Sequence, residues 1–536
     1  MTAASTALRN PAAPVGVKAP FHELDSSESY RYPTWTAFAL IALTFTICYL
    51  RAFLLPHTPM LFWGDQVGFA TKGAQVLSGE LPYRDFFEFL TPGTDLFYAA
   101  LFRCFGILPW LPNLVMACLA AIIAWLMTYC SSRIMRGPIV ALPAILLIGF
   151  VLYGSLDATH HWFSTVLILG AACVLMRSSS SPRIAIAATL IGLSVSFTQT
   201  KGVAAAIGIA AFLIWQSLQE HHSPSRLWQR AVLFLSVSLT VFAAVNLPFI
   251  LAIGPHPWGI WLNQVLVFPV RYFGSVSANN LHGTWPEFLA RHGVLKWLCF
   301  PFIYITVPLV YSLFFWQMRR ARSQPAPSDP SGQTWNRLLL IAIIGVAMFA
   351  VMIPALSIRR VSCVSPPAMI LLAWLLSRAP KLRKPVAVVL GTISCLVAVA
   401  QICAVYLRPG PEISLRGKSY IVPEAVNYEF YRWTADRTHS GQWFFGFSPM
   451  ILPLELRNAA PLEVLGPGEY CRPEQVTATI ASLERSRPPL LILYRSAGAQ
   501  DNGADHLQPF LSYLYQHYRE TKVFANGFEG WERIEF

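Results

Sequence analysis

The sequence predicts a polytopic α-helical membrane protein with about eleven transmembrane helices and a small extracytoplasmic α/β domain at the C-terminal end. Hydrophobic residues make up 55% of the 536-residue chain, and charged residues only 12%, about half the charged fraction of an average soluble protein. The mean hydropathy is +0.48. Apolar runs recur as far as residue 407, and the following part, 408–536, is polar.

The apolar runs are long enough to cross a bilayer, and we assign residues 34–407 to a transmembrane domain. The runs lie at roughly 34–55, 110–131, 138–154, 160–176, 184–199, 202–218, 230–253, 295–317, 336–356, 361–377 and 385–407. Residues 1–33 are rich in Ala, Pro and Ser and contain no short apolar core. They predict a disordered cytoplasmic tail rather than a signal peptide.

The distribution of Lys and Arg predicts the orientation of these spans. With the N-terminus in the cytoplasm, every short cytoplasmic loop is basic and almost free of acidic residues. The opposite side then contains most of the loop acids and the long loop 254–294. The same alternation places 408–536 outside the cytoplasm.

The C-terminal part, 408–536, has the pattern of a small α/β domain. Helical spacing from Val476 to Leu483 is followed by a compact apolar strand at 488–494. A second amphipathic helix runs from Phe510 to Tyr518, and short strands are expected around Asn526-Gly527. Alternating helices and strands over about 120 residues are typical of one small domain.

The composition predicts neither a metal ion nor another cofactor. Most of the ten cysteines fall inside apolar runs, without metal-ligand spacing or a disulfide framework. The formal net charge of +13 is first a topology signal in a membrane protein. Because no basic run outside the spans is interleaved with aromatic residues, we do not expect binding of nucleic acid.

The first outer loop, 56–109, carries much of the charge in its part of the sequence. Helical spacing in it predicts a short amphipathic helix at the membrane surface, ended by Ser78-Gly79. The expected apolar face consists of Val67, Ala70, Ala74 and Leu77, with Gln66, Lys72 and Gln75 elsewhere. A tight turn at 82–85 and a second amphipathic helix from Thr94 to Phe105 follow.

The motifs of this loop are Gly64-Asp65, then Gly79-Glu-Leu-Pro-Tyr-Arg-Asp-Phe-Phe87, then Pro92-Gly93. The pattern resembles the first outer loop of the membrane-embedded GT-C glycosyltransferases, and most of all the subgroup related to protein mannosyltransferases and lipid A aminoarabinose transferases. Over the rest of the chain the likeness is one of architecture. The resemblance implies transfer of a hexose or pentose from a polyprenyl-phosphate donor, of the undecaprenyl type, to an acceptor.

Asp65 is the first candidate catalytic residue. From the residues alone it is a solvated interfacial carboxylate or a helix N-cap. The resemblance implies that it is the catalytic base of an inverting displacement at the outer face of the membrane. The lipid phosphate leaves as a stable anion, but the acceptor must lose a proton, and a single carboxylate can take it. Many relatives have a second acid where this chain has Gln66.

Asp157 is the second candidate, in the segment Asp157-Ala-Thr-His160-His161 at the outer end of the third span. Either it caps the next helix, with the histidines as interface anchors, or it faces the same cavity as Asp65. The resemblance implies the second role. His160 and His161 are candidates for lining the substrate site. As neighbours they are expected on different helix faces, which makes them poor ligands for one metal ion.

Three basic residues on the predicted outer side are candidates for holding the donor phosphate. Lys201 lies between two apolar runs, where an ammonium group either snorkels to the surface or faces a polar cavity. Arg359 and Arg360 are an exception to the excess of positive charge in the cytoplasmic loops. Such a pair suits either a donor phosphate, as the resemblance implies, or lipid headgroups.

Four further residues are candidates for lining the substrate site: Tyr83, Arg84, Glu88 and Arg271. For Glu88 a structural role through ion pairing in the loop is favoured. Arg271 lies in the loop 254–294, which could line a substrate path or pack as a lid.

The sequence favours a glycosyltransferase with a polyprenyl-phosphate-linked sugar as donor and a glycan, lipid or protein as acceptor. The alternatives are a transporter or flippase of lipid-linked glycans and a non-catalytic envelope-assembly protein. The absence of related halves disfavours the transporter. The predicted location is the bacterial inner membrane, with a cytoplasmic N-terminus and a periplasmic C-terminal domain.

Overall fold

The computed structural model of the chain describes residues 34–62, 64–219, 224–273, 285–322, 332–353, 356–466, 472–495 and 506–534. The predicted N-terminal tail, 1–33, lies outside these residues.

Helices follow the predicted apolar runs closely. Those of the membrane part, with the two helices of the first outer loop, are α1 Thr34–Ala52, α2 Asp65–Leu77, α3 Gly93–Phe105, α4 Leu111–Ser132, α5 Leu142–Leu146, α6 His160–Leu175, α7 Ser181–Phe197, α8 Gln199–Gln219, α9 Pro224–Leu251, α10 Pro257–Leu262, α11 Trp285–Arg322, α12 Gly332–Ala350, α13 Ile358–Val364, α14 Pro366–Ser377 and α15 Pro380–Leu407. A 3₁₀ turn, Pro138–Ala141, leads into α5, and π-helical turns form at Leu147–Val151, Asn263–Val267 and Pro269–Phe273.

Within the described residues, six helices are long and apolar enough to cross a membrane. They are α1, α4, α8, the Trp228–Leu251 part of α9, the Val294–Arg320 part of α11, and α15. The pair α13 and α14 counts as a seventh if it is one bent span. The chain is therefore a multi-pass membrane protein. The other predicted spans form shorter apolar helices, so the number eleven stays a prediction.

The bend between α13 and α14 places two of the predicted site residues. The two helices meet at an angle of 59°, where Ser365 precedes Pro366-Pro367. Proline has no N–H to continue the helical hydrogen bonds and restricts the residue before it. The axis of the short helix α13, which carries Arg359 and Arg360, therefore differs in direction from the axis of α14.

In the first outer loop, α2 packs against α3, and both helices begin and end close to the predicted positions. The predicted apolar face of α2 is wrong in part, because only Ala70 of its four residues is fully buried. The buried residues are Gln66, Phe69, Ala70, Thr71, Gly73 and Gln75. Polar side chains lie on this buried face because hydrogen-bond partners are present there: Gln66 bonds to Asn113, and Gln75 bonds to Glu80.

The C-terminal part is a small α/β domain, as predicted. Its helices are α16 Tyr428–Asp436, α17 Pro473–Ser486 and α18 Gln508–His517, and its strands, after β1 Phe53–Leu54 and β2 Thr58–Pro59 of the first loop, are β3 Glu412–Leu415, β4 Lys418–Ile421, β5 Trp443–Gly446, β6 Arg457–Asn458, β7 Leu490–Tyr494, β8 Tyr518–Val523 and β9 Phe528–Arg533. The main sheet has the order β6-β5-β7-β9-β8. Strand β5 is parallel to β6 and β7, and β9 is antiparallel to β7 and β8.

The C-terminal domain contacts the first outer loop directly, which the sequence did not predict. The Leu61 N–H donates to Ile421 O at 2.9 Å, and the Phe87 N–H donates to Pro461 O at 2.9 Å. The carboxylate of Glu463 lies 3.9 Å from Lys72 Nζ on α2. The domain is thus held against the loop that carries Asp65.

Candidate active site

Asp65 is the first residue of α2, directly after the N-cap Gly64. The alternative that Asp65 is itself the N-cap is therefore wrong. Its side chain is exposed, and its position in the first helical turn favours a negative charge, because the helix dipole is positive there. The charge of Asp65 raises the pKa of Asp157 and also acts on Arg360. The carboxylate therefore lies within electrostatic reach of both predicted partners.

Asp157 lies in the loop before α6 and is not its N-cap, which is Thr159. Its Oδ1 accepts a hydrogen bond from Ser155 Oγ at 3.0 Å, and its Oδ2 lies 4.0 Å from Arg359 Nη1. The side chain is only 14% exposed. Burial, followed by the negative charge of Asp65, raises the pKa of Asp157 from 3.8 to about 6, against the opposing effects of Arg359 and Ser155.

Arg359 and Arg360 lie at the start of α13. The Ser357 side chain caps this helix by accepting a hydrogen bond from the Arg360 N–H at 3.4 Å. Arg359 is 52% exposed, whereas Arg360 is half-buried. A Cβ placed on Gly64 would lie 3.9 Å from Arg359 Nη1. Gly64, the residue before Asp65, therefore lies close to Arg359, the arginine that contacts Asp157.

Lys201, on the first turn of α8, is fully buried. Its ammonium group donates to His161 O at 2.6 Å and to Thr165 Oγ1 at 2.9 Å. Thr165 Oγ1 in turn donates to Cys363 O of α13 at 2.7 Å. Lys201 therefore joins α8 to α6, and through Thr165 to the helix of the two arginines. Its direct contact with a donor phosphate stays a prediction.

The two histidines lie together, contrary to expectation. The ring centroids of His160 and His161 are 3.9 Å apart, and the His160 ring meets the edge of Phe69 at 5.1 Å. They are the first two residues of α6. No preceding helical turn lies beside their side chains there, so the two rings can contact each other. Among the described residues, no three His, Cys, Asp or Glu side chains converge in a way that could hold a metal ion.

Glu88 forms a buried ion pair with a residue that the sequence did not single out. Its Oε2 lies 2.7 Å from Lys72 Nζ, and its side chain is 1% exposed. Its Oε1 accepts a hydrogen bond from the Leu90 N–H at 2.9 Å. Burial and the charge of Glu88 raise the pKa of the neighbouring Asp95 well above its ordinary value. This ion pair supports the structural role predicted for Glu88, and its partner is Lys72.

The remaining candidates occupy different environments. Tyr83 is buried, has a left-handed backbone with φ 70°, and donates its hydroxyl hydrogen to Leu90 O at 2.7 Å. Arg84 pairs with Asp85 at the surface, 2.6 Å from Nη2 to Oδ2. Arg271 is exposed on the turn Pro269–Phe273. Their contacts with a substrate stay predictions.

Sequence reasoning missed several polar residues that surround the two acids. Lys72 and Glu463 form part of the buried charge group on one side of α2. Ser155, which supports Asp157, also accepts a hydrogen bond from Trp162 Nε1 at 3.2 Å. No pattern in the sequence sets Lys72, Ser155 or Glu463 apart from the other polar residues of their segments.

No family model matches the sequence. No curated protein matches it either. Solved structures, in contrast, resemble it over nearly the whole chain.

The crystal structure of ArnT from Cupriavidus metallidurans bound to undecaprenyl phosphate matches with a TM-score of 0.57 at 13% sequence identity, covering 94% of this chain and 99% of that chain. The apo form of the same protein matches with a TM-score of 0.56 at 12% identity, covering 94% of this chain and 98% of that chain. ArnT is a GT-C aminoarabinose transferase. This chain therefore has a GT-C-like fold, which confirms the predicted likeness at the level of architecture.

Proposed function

We propose that this protein is a glycosyltransferase that moves a sugar from a polyprenyl phosphate to an acceptor at the outer face of the membrane. The observation that carries the proposal is the meeting of Asp157 with Arg359, at 4.0 Å, beside the exposed Asp65 at the start of α2. The GT-C-like fold supports it, since one protein with that fold binds undecaprenyl phosphate. The inner-membrane location and the outward orientation belong to the same proposal.

The two arginines are suited to the donor phosphate. A guanidinium group is always charged and matches two phosphate oxygens at once. Arg359 is the more exposed of the two, and without donor its charge faces Asp157. The charge of Asp65 also acts on Arg360. A bound phosphate would meet the positive charge of both guanidinium groups.

In the proposed reaction, the acceptor hydroxyl or amine attacks C1 of the sugar. The new bond forms from the acceptor oxygen or nitrogen to C1, and the bond from C1 to the phosphate oxygen breaks. The acceptor approaches C1 from the side opposite the phosphate, so the configuration at C1 is inverted. The electron pair of the breaking bond leaves with the polyprenyl phosphate, and the acceptor proton passes to Asp65. A positioned base of this kind contributes about 10²–10⁴-fold to a rate.

Asp157 is proposed to act beside Asp65. With a pKa of about 6 it is mostly ionised at neutral pH, and its carboxylate can orient Arg359 towards the phosphate. Lys201 stabilises the same region from inside by holding the first turn of α6. The histidines, Tyr83, Glu88 and Arg271 are proposed to shape the cavity around the sugar.

The test compares cells that produce the wild-type protein, Asp65→Asn, or neither. Lipid extracts and envelope glycoconjugates are analysed by mass spectrometry. The wild type is expected to lower the amount of one polyprenyl-phosphate sugar and to add that sugar to an acceptor. Asp65→Asn is expected to lower product formation by about 10²–10⁴-fold. Asp436→Asn, an exposed carboxylate on α16, is the matched control and should behave as wild type.

Binding of undecaprenyl phosphate to the purified proteins completes the test. Asp65→Asn should bind it within about threefold of the wild type, which is less than 1 kcal/mol, because the proposed role of Asp65 is in the chemical step. A transporter would move lipid-linked sugar without modifying an acceptor, and an assembly protein would leave both pools unchanged. Wild-type product levels in cells with Asp65→Asn would contradict the assignment of the base.

A further inference from the structure

Gln66 lies beside Asp65 and is almost completely buried, at 2% exposure. Its side chain makes two hydrogen bonds in opposite directions. Gln66 Nε2 donates to Asn113 Oδ1 at 3.1 Å, and Gln66 Oε1 accepts from the Ala158 N–H at 2.9 Å. Ala158 is the residue after Asp157. One side chain thus connects the segment of one candidate acid to the segment of the other.

The backbone groups at the two ends of this network determine the direction of every hydrogen bond in it. The Ala158 N–H can only donate, so the oxygen of Gln66 must face it. At the other end, Asn113 Nδ2 donates to Met60 O at 2.9 Å and to Ala52 O at 3.3 Å, and carbonyl groups can only accept. Asn113 therefore presents its oxygen to Gln66. An ionised carboxylate at position 66 would place oxygen against oxygen.

The peptide after Asp157 is held on its other side as well. Tyr98, which is fully buried, donates its hydroxyl hydrogen to Ala158 O at 2.9 Å. The N–H and the carbonyl of Ala158 therefore both have buried partners, one on α2 and one on α3. Buried networks in which every group is satisfied are rigid. The loop of Asp157 is thus fixed with respect to α2.

We propose that Gln66 is a positioning residue that sets the separation of Asp65 and Asp157, and with it the electrostatic coupling between the two acids. This inference rests on the proposed transferase function. Gln66 does not touch the reacting atoms, and it acts through the backbone of the two acid-bearing segments. A second acid at this position would face Asn113 Oδ1, so this chain requires an amide there.

Two substitutions test the proposal. Gln66→Met keeps the length of the side chain but makes neither hydrogen bond. Gln66→Glu can reproduce both bonds only while it is protonated, because its O–H then donates to Asn113 Oδ1. The matched control is Gln75→Met, which removes the hydrogen bond that another buried glutamine of α2 donates to Glu80 at 2.7 Å, away from both acids.

Product formation is measured in cells at external pH of about 6 and about 8, values on either side of the range in which a buried carboxyl titrates. Gln66→Met is expected to lower it at least tenfold at both, with undecaprenyl phosphate binding within about threefold of wild type. For Gln66→Glu, the activity relative to wild type at the same pH should be at least about tenfold lower at the higher pH than at the lower pH. Gln75→Met should stay close to wild type at both pH values.

A second readout does not depend on transferase activity. The pH midpoint at which the melting temperature Tm responds to the ionisation of Asp157 should move down in Gln66→Met, because the coupling to Asp65 is loosened. If Gln66→Met does not fold, Gln66→Glu decides the question through the pH dependence of its activity. Unchanged activity and an unchanged midpoint, with only a lower Tm, would reduce Gln66 to a structural role. If the wild type transfers no sugar, the transferase proposal fails, and the midpoint alone decides the role of Gln66.

Discussion

Asp157→Asn is expected to make the protein more stable at neutral pH while impairing its proposed activity. Burial and the charge of Asp65 raise the pKa of Asp157 from 3.8 to about 6. A carboxyl group with a higher pKa in the folded protein binds its proton more tightly there than in the unfolded chain, so its ionised form destabilises the fold. This destabilisation is absent below pH 3.8, grows as the pH rises towards about 6, and is complete above that value.

The upper limit of the effect follows from the two pKa values. Each pKa unit corresponds to about 1.4 kcal/mol, so the rise from 3.8 to about 6 amounts to roughly 3 kcal/mol. The asparagine keeps an oxygen that can accept the hydrogen bond of Ser155. The loss of the attraction of Arg359, which is half exposed and 4.0 Å away, is already contained in that difference, because Arg359 opposes the rise in the pKa. We therefore expect a gain of up to about 3 kcal/mol near neutral pH.

The assay is thermal unfolding of the detergent-solubilised protein, followed by tryptophan fluorescence at about pH 7.5 and about pH 4, above and close to the two ends of the titration. Asp157→Asn should raise the Tm by a few degrees at the higher pH and by much less at the lower pH. Asp436→Asn, an exposed carboxylate, should leave the Tm unchanged at both. A Tm rise of the same size at both pH values, or none at neutral pH, would refute the reasoning.

Two further substitutions follow from the charges around the site. Lys72→Met leaves the buried carboxylate of Glu88 without its ion pair and should lower the free energy of unfolding by about 3–5 kcal/mol. The control Lys418→Met removes one partner of an exposed ion pair and should cost less than about 1 kcal/mol. Equal Tm values for both variants would contradict the argument that burial makes the Lys72–Glu88 pair important. Replacing Arg359 and Arg360 together by Gln should weaken undecaprenyl phosphate binding by at least about tenfold, measured by native mass spectrometry. An unchanged affinity would remove the pair from the proposed phosphate site.

Much of the fold could be predicted because the lipid bilayer leaves a strong signal in sequence. Most apolar runs became helices with nearly the predicted bounds, as for α4 at Leu111–Ser132 and α15 at Pro380–Leu407, whereas the runs 138–154 and 361–377 are divided into shorter pieces. The number of helices that cross the membrane is harder to predict, because apolar runs such as those of α6 and α7 form helices of only 16 and 17 residues. Helices of that length are just below what a bilayer core requires.

The candidate site was predictable where a residue departs from a general rule. Arg359 is a positive charge on the predicted outer side, and Asp157 is an acid at the end of an apolar run, so both were expected near one another; the structure has them 4.0 Å apart. Lys201 was recognised for the same reason, but its hydrogen bonds to His161 O and Thr165 depend on the packing of α8 against α6. No pattern in a single sequence specifies those acceptors.

The apolar face of α2 shows why the supporting residues were missed. Hydrophobic periodicity counts only apolar side chains, and on that count Gln66 and Gln75 belong on the exposed face. Burying an amide is unfavourable unless hydrogen bonds compensate for lost water. The partner of Gln66 at one end lies in α4 and at the other end follows Asp157. Such a side chain can be recognised as buried only when these distant segments are seen together.

The same reasoning makes the C-terminal domain part of the site rather than an appendage. Lys72 is shared between Glu88, at 2.7 Å, and Glu463 of the C-terminal domain, at 3.9 Å. The charge of Asp65 also raises the pKa of Glu463, after burial as the main cause. Because α2 carries both Asp65 and Lys72, contacts made more than 380 residues later in the sequence help to fix the proposed base. The position of the segment that carries Asp65 therefore depends on the C-terminal domain as well as on the helices that pack against α2.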